Sequence, residues 1–200
     1  LGQIAAIAQL ELARPSAAPI LDDLRTLRTL TNVAGPNFAG DAQLIDSDVH
    51  VSDVDSANFN TGQFVAQLLN GATATEALGI RNQGIAAGQI GVSGANITYG
   101  GVVIGSFSGG GVGASTLTVT FNASADPAAV RALVENITYQ NTSPPAGTTH
   151  RYIGFRLSDG DGGVSDSHQV QLTIQASFTP ASTIILDDLA SAVTFTESQA

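Results

Sequence analysis

Two acidic stretches hold the side chains best suited to chemistry in this chain. The first is Asp46-Ser47-Asp48, followed by Asp53-Val54-Asp55-Ser56. The second is Ser158-Asp159-Gly160-Asp161-Gly162-Gly163, closed by Asp166. Alternate Asp residues on a tight turn supply hard oxygen donors, and Gly lets backbone carbonyls turn inward. Calcium takes roughly six to eight such oxygens in a flexible shell. Asp46, Asp48, Asp53, Asp55, Asp159, Asp161 and Asp166 are therefore the metal-ligand candidates, and calcium is the cofactor expected of them. The same residues also serve as ordinary turn formers, and Asp-Gly is a frequent hairpin turn without any metal. Neither the helix–loop–helix calcium pattern nor the short β-roll repeat is present.

Other chemistry is poorly represented. His50, His150 and His168 are scattered, and no Ser has a nucleophile's local context. Gly105-Ser106-Phe107-Ser108-Gly109 has Phe where a nucleophile elbow needs Ser. Gly109–Gly113 is Gly-rich but has no phosphate-binding partner residue, so a hairpin loop is expected there. All seven basic residues are Arg, which excludes a Schiff-base lysine and a P-loop lysine within this chain. Cys is absent, so there is no thiolate nucleophile, thiolate metal site or disulfide. Paired carboxylates can hydrolyse glycosides, but the chain has no Trp and only Tyr99, Tyr139 and Tyr152 beside its Phe residues as sugar platforms. The expectation is a protein without enzymatic activity.

Positioning the acidic loops falls to a chain of 200 residues, enough for one domain with extensions and a proper core. The formal net charge of −10 repels nucleic acid and anionic lipid and favours cations. No apolar run reaches membrane-spanning length, so membrane insertion is not expected. The absence of Met leads to the expectation that the chain is a piece of a longer polypeptide.

The two ends repeat one another. Ile20-Leu21-Asp22-Asp23-Leu24 recurs as Ile185-Leu186-Asp187-Asp188-Leu189, and Thr29-Leu30-Thr31-Asn32 resembles Thr194-Phe195-Thr196-Glu197. Upstream, Gln9-Leu10-Glu11-Leu12 resembles Gln171-Leu172-Thr173-Ile174. Three blocks in the same order point to a tandem array. Residues 1–19 are then the last strand of a preceding repeat plus a linker. Residues 20–182 are one full unit. Residues 183–200 are the first strand of the following unit, or a strand for exchange.

Between the ends, strand signals alternate with Gly, Asn and Asp. Strands are expected at 49–52, 64–69, 89–92, 95–99, 101–107, 116–121, 137–140, 152–157 and 170–174. Thr116–Phe121 has a period of two that places Leu117, Val119 and Phe121 on one face. Ile153, Phe155 and Leu157 are expected to face inward. One helix is signalled by Asp126 as N-cap and Pro127 at the first helical position. A second short helical turn is expected at 73–78. The fold class is mostly β, a β-sandwich with one or two short helices, and the resemblance that follows implies a cadherin-like or immunoglobulin-like one.

Three stretches together resemble one known family. They are Val51–Gly62, the Asp126–Leu133 helix followed by Ile137-Thr-Tyr-Gln-Asn-Thr-Ser143, and Phe155-Arg-Leu-Ser-Asp-Gly-Asp-Gly-Gly163. They resemble the chondroitin-sulfate-proteoglycan-type repeat, a cadherin-like sandwich found in tandem in giant bacterial surface proteins and hemolysin-type calcium-binding proteins. The resemblance spans roughly residues 32–177. It implies a structural or adhesive extracellular module at a bacterial cell surface or in a secreted matrix, rigidified by calcium. It carries Asp53, Asp55, Asp159 and Asp161 over as ligands, although the Asp-x-Asn-Asp-Asn linker run of cadherins is missing. The expected partners are neighbouring copies or repeats of the chain itself, joined through terminal strands, and surface or matrix glycans. The alternative is a filament or sheath subunit that polymerises by β-strand exchange.

Overall fold

The computed structural model describes residues 16–24, 27–30, 42–143 and 148–174. The repeated blocks at 9–12 and 185–197, and the segment 183–200 as a whole, lie outside the described residues.

Period-two sequences build the larger layer. β5 (Gln63–Leu68), β11 (Thr116–Phe121), β13 (Thr149–Leu157) and β14 (His168–Ile174) each alternate apolar and polar residues. A strand points successive side chains to opposite faces, so each buries one set. Register keeps these sets together: Phe64 lies opposite Val119 and Leu157, and Phe155 opposite Ala66. Phe64 and Phe155 stack with ring centres 5.6 Å apart. Burying each such side chain stabilises the fold by about 1.5–3 kcal/mol. Leu117, Val119, Phe121, Ile153, Phe155 and Leu157 all lie in the core, as the alternation predicts.

Among the described residues the layer has eight strands. From one edge it runs β2 (Leu27–Leu30), β14, β13, β5, β11, β9 (Val102–Gly109), β8 (Asn96–Tyr99) and β7 (Ile90–Ser93). All pairs are antiparallel except β2 with β14, which is parallel. A second sheet orders β10 (Gly111–Val112), β6 (Glu76–Ile80), β12 (Ile137–Asn141) and β3 (Gln43–Leu44). β1 (Ile20–Asp22) and β4 (His50–Ser52) form a small antiparallel pair. The buried residues of all three sheets join one hydrophobic cluster, so the fold is mostly β and sandwich-like.

The expected helix is α1 (Pro127–Val134), and it packs against β4 and β8. Asp126 caps it by accepting from the Ala129 N–H at 2.7 Å. The expected helical turn at 73–78 is only a turn over residues 74–75, and β6 begins at Glu76. β6 pairs on both sides, with β10 and β12, and those ladders override a local preference for helix.

Candidate functional site

The two acidic stretches reach the same end of the sandwich because of strand pairing. β4 delivers Asp53 directly after its last residue. β13 pairs with β5, so the loop after Leu157 emerges beside residues 59–62. Gln63 and Ser158 exchange backbone hydrogen bonds at that corner, 3.2 and 2.8 Å long.

Each loop is organised by its own Asp. Asp53 Oδ1 accepts from the N–H groups of Asp55 and Ser56, both at 3.2 Å. Asp159 is fully buried, and its Oδ1 accepts from the N–H groups of Asp161, Gly162 and Gly163 at 2.8, 3.1 and 3.0 Å. The loops touch where the Ser56 hydroxyl donates to Asp161 Oδ2 at 3.4 Å. Gly160 has φ of +93°, a conformation side chains resist. A Cβ on Gly163 would collide with Ala17 O and Asp159 Oδ2.

The space between the loops is filled by the segment leading into β1. Ser16 donates its hydroxyl to Asp159 Oδ2 at 2.9 Å. The Ala17 N–H donates to Asp55 Oδ2 at 2.8 Å. Of the four Asp residues in these loops, Asp55 and Asp159 thus clamp one backbone segment, while Asp53 orders the loop that carries Asp55 and Asp161 accepts from Ser56.

Their electrostatics differ. Burial pushes the Asp53 carboxyl above the usual carboxylate range, and the neighbouring Asp55 adds to the rise against the two amides that lower it. The Ala17 amide, and then Asp53, hold Asp55 below that range. Asp53 Oδ2 is buried with no hydrogen-bond partner. Two carboxyls so coupled favour a proton or a cation between them. As calcium ligands, the oxygens of Asp53, Asp55 and Asp161 fit the chemistry, whereas Asp159 Oδ1 already serves three amides. Among the described residues, no three Asp, Glu or His side chains converge on a single ion position.

The remaining candidates sit elsewhere. Asp46 is buried in the turn before β4, and its Oδ1 accepts from the Asp48 N–H at 3.1 Å. β4 separates this pair from Asp53 and Asp55. Asp166 lines a shallow cleft of about 270 Å³ with Pro19, Leu21, Asp22 and His168. His50 Nδ1 lies 2.8 Å from Asp22 Oδ1. His150 Nδ1 is within hydrogen-bond distance of Gln171 and Thr173. Gly105–Gly109 lies within β9 and so lacks the strand-to-helix turn of a nucleophile elbow.

Sequence reasoning missed one charged cluster. Glu76 on β6 is fully buried; its Oε1 accepts from the Tyr139 hydroxyl of β12 at 2.6 Å and from Arg151 Nε of β13. Its Oε2 accepts from the Thr73 N–H at 2.9 Å. Burial raises the Glu76 pKa, but these donors, Arg151 foremost, outweigh it and hold the carboxyl below its ordinary value. Burial, then Glu76, raises the Tyr139 hydroxyl. The cluster ties the four-stranded sheet to the eight-stranded one. A lone Glu opening an apolar run offered little to find it by.

Comparison with known proteins returns no match: no protein-family model, curated protein or solved structure matches the chain.

Proposed function

We propose that this chain is a structural or adhesive unit of an extended extracellular array, in which successive units join end to end. The observation that supports this reading is the parallel pairing of β2 with β14. The chain comes into the unit at the acidic loops, where Ser16 and Ala17 are held. It leaves at the opposite end, where Ile174 lies beside Leu30 and Thr149. The nine-residue β13 separates the two ends by roughly 27 Å. A unit traversed from one end to the other suits a linear string. A unit whose ends met would suit an insertion in a loop.

In this reading the acidic loops lie at the joint with the preceding unit. Asp53, Asp55 and Asp161 would supply part of a calcium shell, and oxygens of the preceding unit or water would supply the rest. The ion would fix the angle between units.

The test is small-angle scattering from two units fused at the spacing of the repeat, in calcium and in chelator. The expected result is a particle about twice the length of one unit in calcium, with a broader distribution of lengths in chelator. A compact, folded-back pair in both conditions would overturn the proposal.

A further inference from the structure

The outward face of the larger sheet differs in charge from the rest of the molecule. The formal net charge is −10, yet none of the eight strands of this sheet contains Asp or Glu. The outward positions of β5, β11, β13 and β14 carry Gln, Thr, Tyr, His, Val, Gly and Arg. Arg156 is the exposed guanidinium of these four strands. It makes no ion pair or hydrogen bond among the described residues, whereas Arg81, Arg131 and Arg151 are held by Asn136, Glu135 and Glu76.

Gly154 opens a trough beside this arginine. It stands in the middle of β13, where a glycine weakens the strand and has no side chain to pack. The backbone around it does not impose a glycine. The three heavy atoms nearest to a Cβ at this position all belong to the flexible Leu69 side chain, at 3.1 Å and beyond. Gly62 and Gly105 differ, since a Cβ on either would strike a main-chain oxygen at 2.2 or 2.3 Å. Register sets Gln67 and Gln169 on either side of Gly154, while Tyr152 and Arg156 precede and follow it on the same face. The two amides stand roughly 10 Å apart across the sheet, and Arg156 lies about 7 Å along it. Neither amide is engaged by another side chain among the described residues. A cleft of about 310 Å³ lies over Gly154, bounded by Gln67, Leu69 and Arg156. A second, of about 300 Å³, continues it past Gln63 and Ser158, and the two meet at Val65 and Arg156.

We propose that this trough binds a carboxylate-bearing polysaccharide, with Arg156 pairing with the carboxylate and Gln67 and Gln169 serving ring hydroxyls. A guanidinium meets a carboxylate through two parallel N–H···O bonds. A side-chain amide offers both donors and an acceptor, which suits a hydroxyl that needs each. Leu69 and Tyr152 supply apolar surface for the C–H face of a sugar. A protein partner fits this face less well. Protein interfaces centre on aromatic and aliphatic anchors that become fully buried. Here the aliphatic side chains beside the trough are only Val65, half-buried, and Leu69, 50% exposed. The lack of acids on the strands matters, because a carboxylate beside Arg156 would repel the ligand and compete for the guanidinium. The net charge opposes an anion at long range, but charges beyond roughly 8 Å are screened at physiological ionic strength, so the local sign decides. The inference rests on the adhesive reading above and gives it a surface.

The experiment is a titration of the full chain with a short galacturonate oligomer in chelator, followed by amide NMR shifts. Chelator removes any calcium bridge between the oligomer and the acidic loops. The expected shifts centre on the amides of Val65, Gln67, Gly154 and Arg156 and leave those of 53–56 and 159–163 unmoved. Arg156→Gln should weaken binding roughly tenfold, the loss of one charge-assisted pair. Gly154→Val fills the trough and should weaken binding as much, with its fold checked by a thermal melt. The methyl ester of the same oligomer has no carboxylate and needs no variant. It should bind wild type as weakly as the free acid binds Arg156→Gln. Absence of shifts at millimolar oligomer, equal affinity for acid and ester, or wild-type affinity in Arg156→Gln would overturn the inference. Shifts confined to the acidic loops would overturn it as well. The length of two fused units does not depend on this face, so a failure here leaves the array proposal untouched. A compact fused pair, in turn, would leave the affinity of the trough for the oligomer unchanged.

Discussion

The Ser16 hydroxyl donates to Oδ2 of Asp159 at 2.9 Å and joins residues 143 positions apart. The same carboxylate accepts three amides of its own loop through Oδ1. One buried side chain therefore shapes the β13–β14 connection and holds the segment that leads into β1. Asp159→Ala would leave these donors without an acceptor, at an expected cost of about 3 kcal/mol. Asp159→Asn keeps an oxygen for the amides and should cost about 1 kcal/mol. Urea midpoints measure both. Amide exchange at Ala17 should quicken in each variant. A stability equal to wild type in Asp159→Ala would show that the clamp is dispensable.

Gly163→Ala tests the clamp without changing charge. The added methyl would collide with Ala17 O and Asp159 Oδ2, so the lead-in segment or the loop must shift. The expected loss is about 1–3 kcal/mol. Protection should be lost at residues 16–17 while the amides of β5 and β11 keep theirs. Uniform loss across the sandwich would contradict a local role.

The pH response of Asp53 has a definite sign. Its carboxyl is raised in the fold above 3.8, so the native state holds more protons than the unfolded one in that window. Its contribution to stability is present at low pH and is lost as pH rises through the folded value. Asp53→Asn should therefore be neutral to stabilising at pH 7 without calcium. If the pair binds calcium, the ion should raise the melting temperature of wild type and leave Asp53→Asn unchanged. An equal calcium shift in both proteins would remove Asp53 from the ligand set.

Glu76 has the opposite sign. Its folded pKa lies below 4.5, so its contribution is full above that value and is lost as pH falls through the folded pKa. Glu76→Gln leaves Arg151 without its carboxylate and should cost about 3 kcal/mol at pH 7. Tyr139→Phe should cost about 1–2 kcal/mol. The gap between wild type and Glu76→Gln should narrow in acid. Denaturant melts at pH 7 and pH 3 check this, and a gap independent of pH would count against an ionised Glu76 in the fold.

Much of the larger sheet was legible because its strands bury one face. Thr116–Phe121 and Ile153–Leu157 alternate cleanly, and their inward sets are in the core. β6 was not legible. Its Glu76-Ala77-Leu78 run is buried at every position, which erases the period of two, and Thr75-Glu76-Ala77-Leu78 reads locally as a helix start. The acidic loops were visible as residue types. Asp53, Asp55, Asp159 and Asp161 were named from spacing, but Ser16 and Ala17, which Asp159 and Asp55 hold, carry no local signal.

The sequence by itself determined the β character, the capped helix at Pro127–Val134, the polarity of the acidic turns and the repetition of the strand-pair motif. Each is set by neighbours along the chain: alternation, a capping side chain, Asp-Gly turns, or identity between two stretches. Tertiary structure alone decided that the two acidic loops share one end, that Glu76 meets Tyr139 and Arg151, and that β2 runs parallel to β14. These depend on long-range register. A buried carboxylate finds its donors, and a chain its direction through the unit, only when strands far apart in sequence pair side by side.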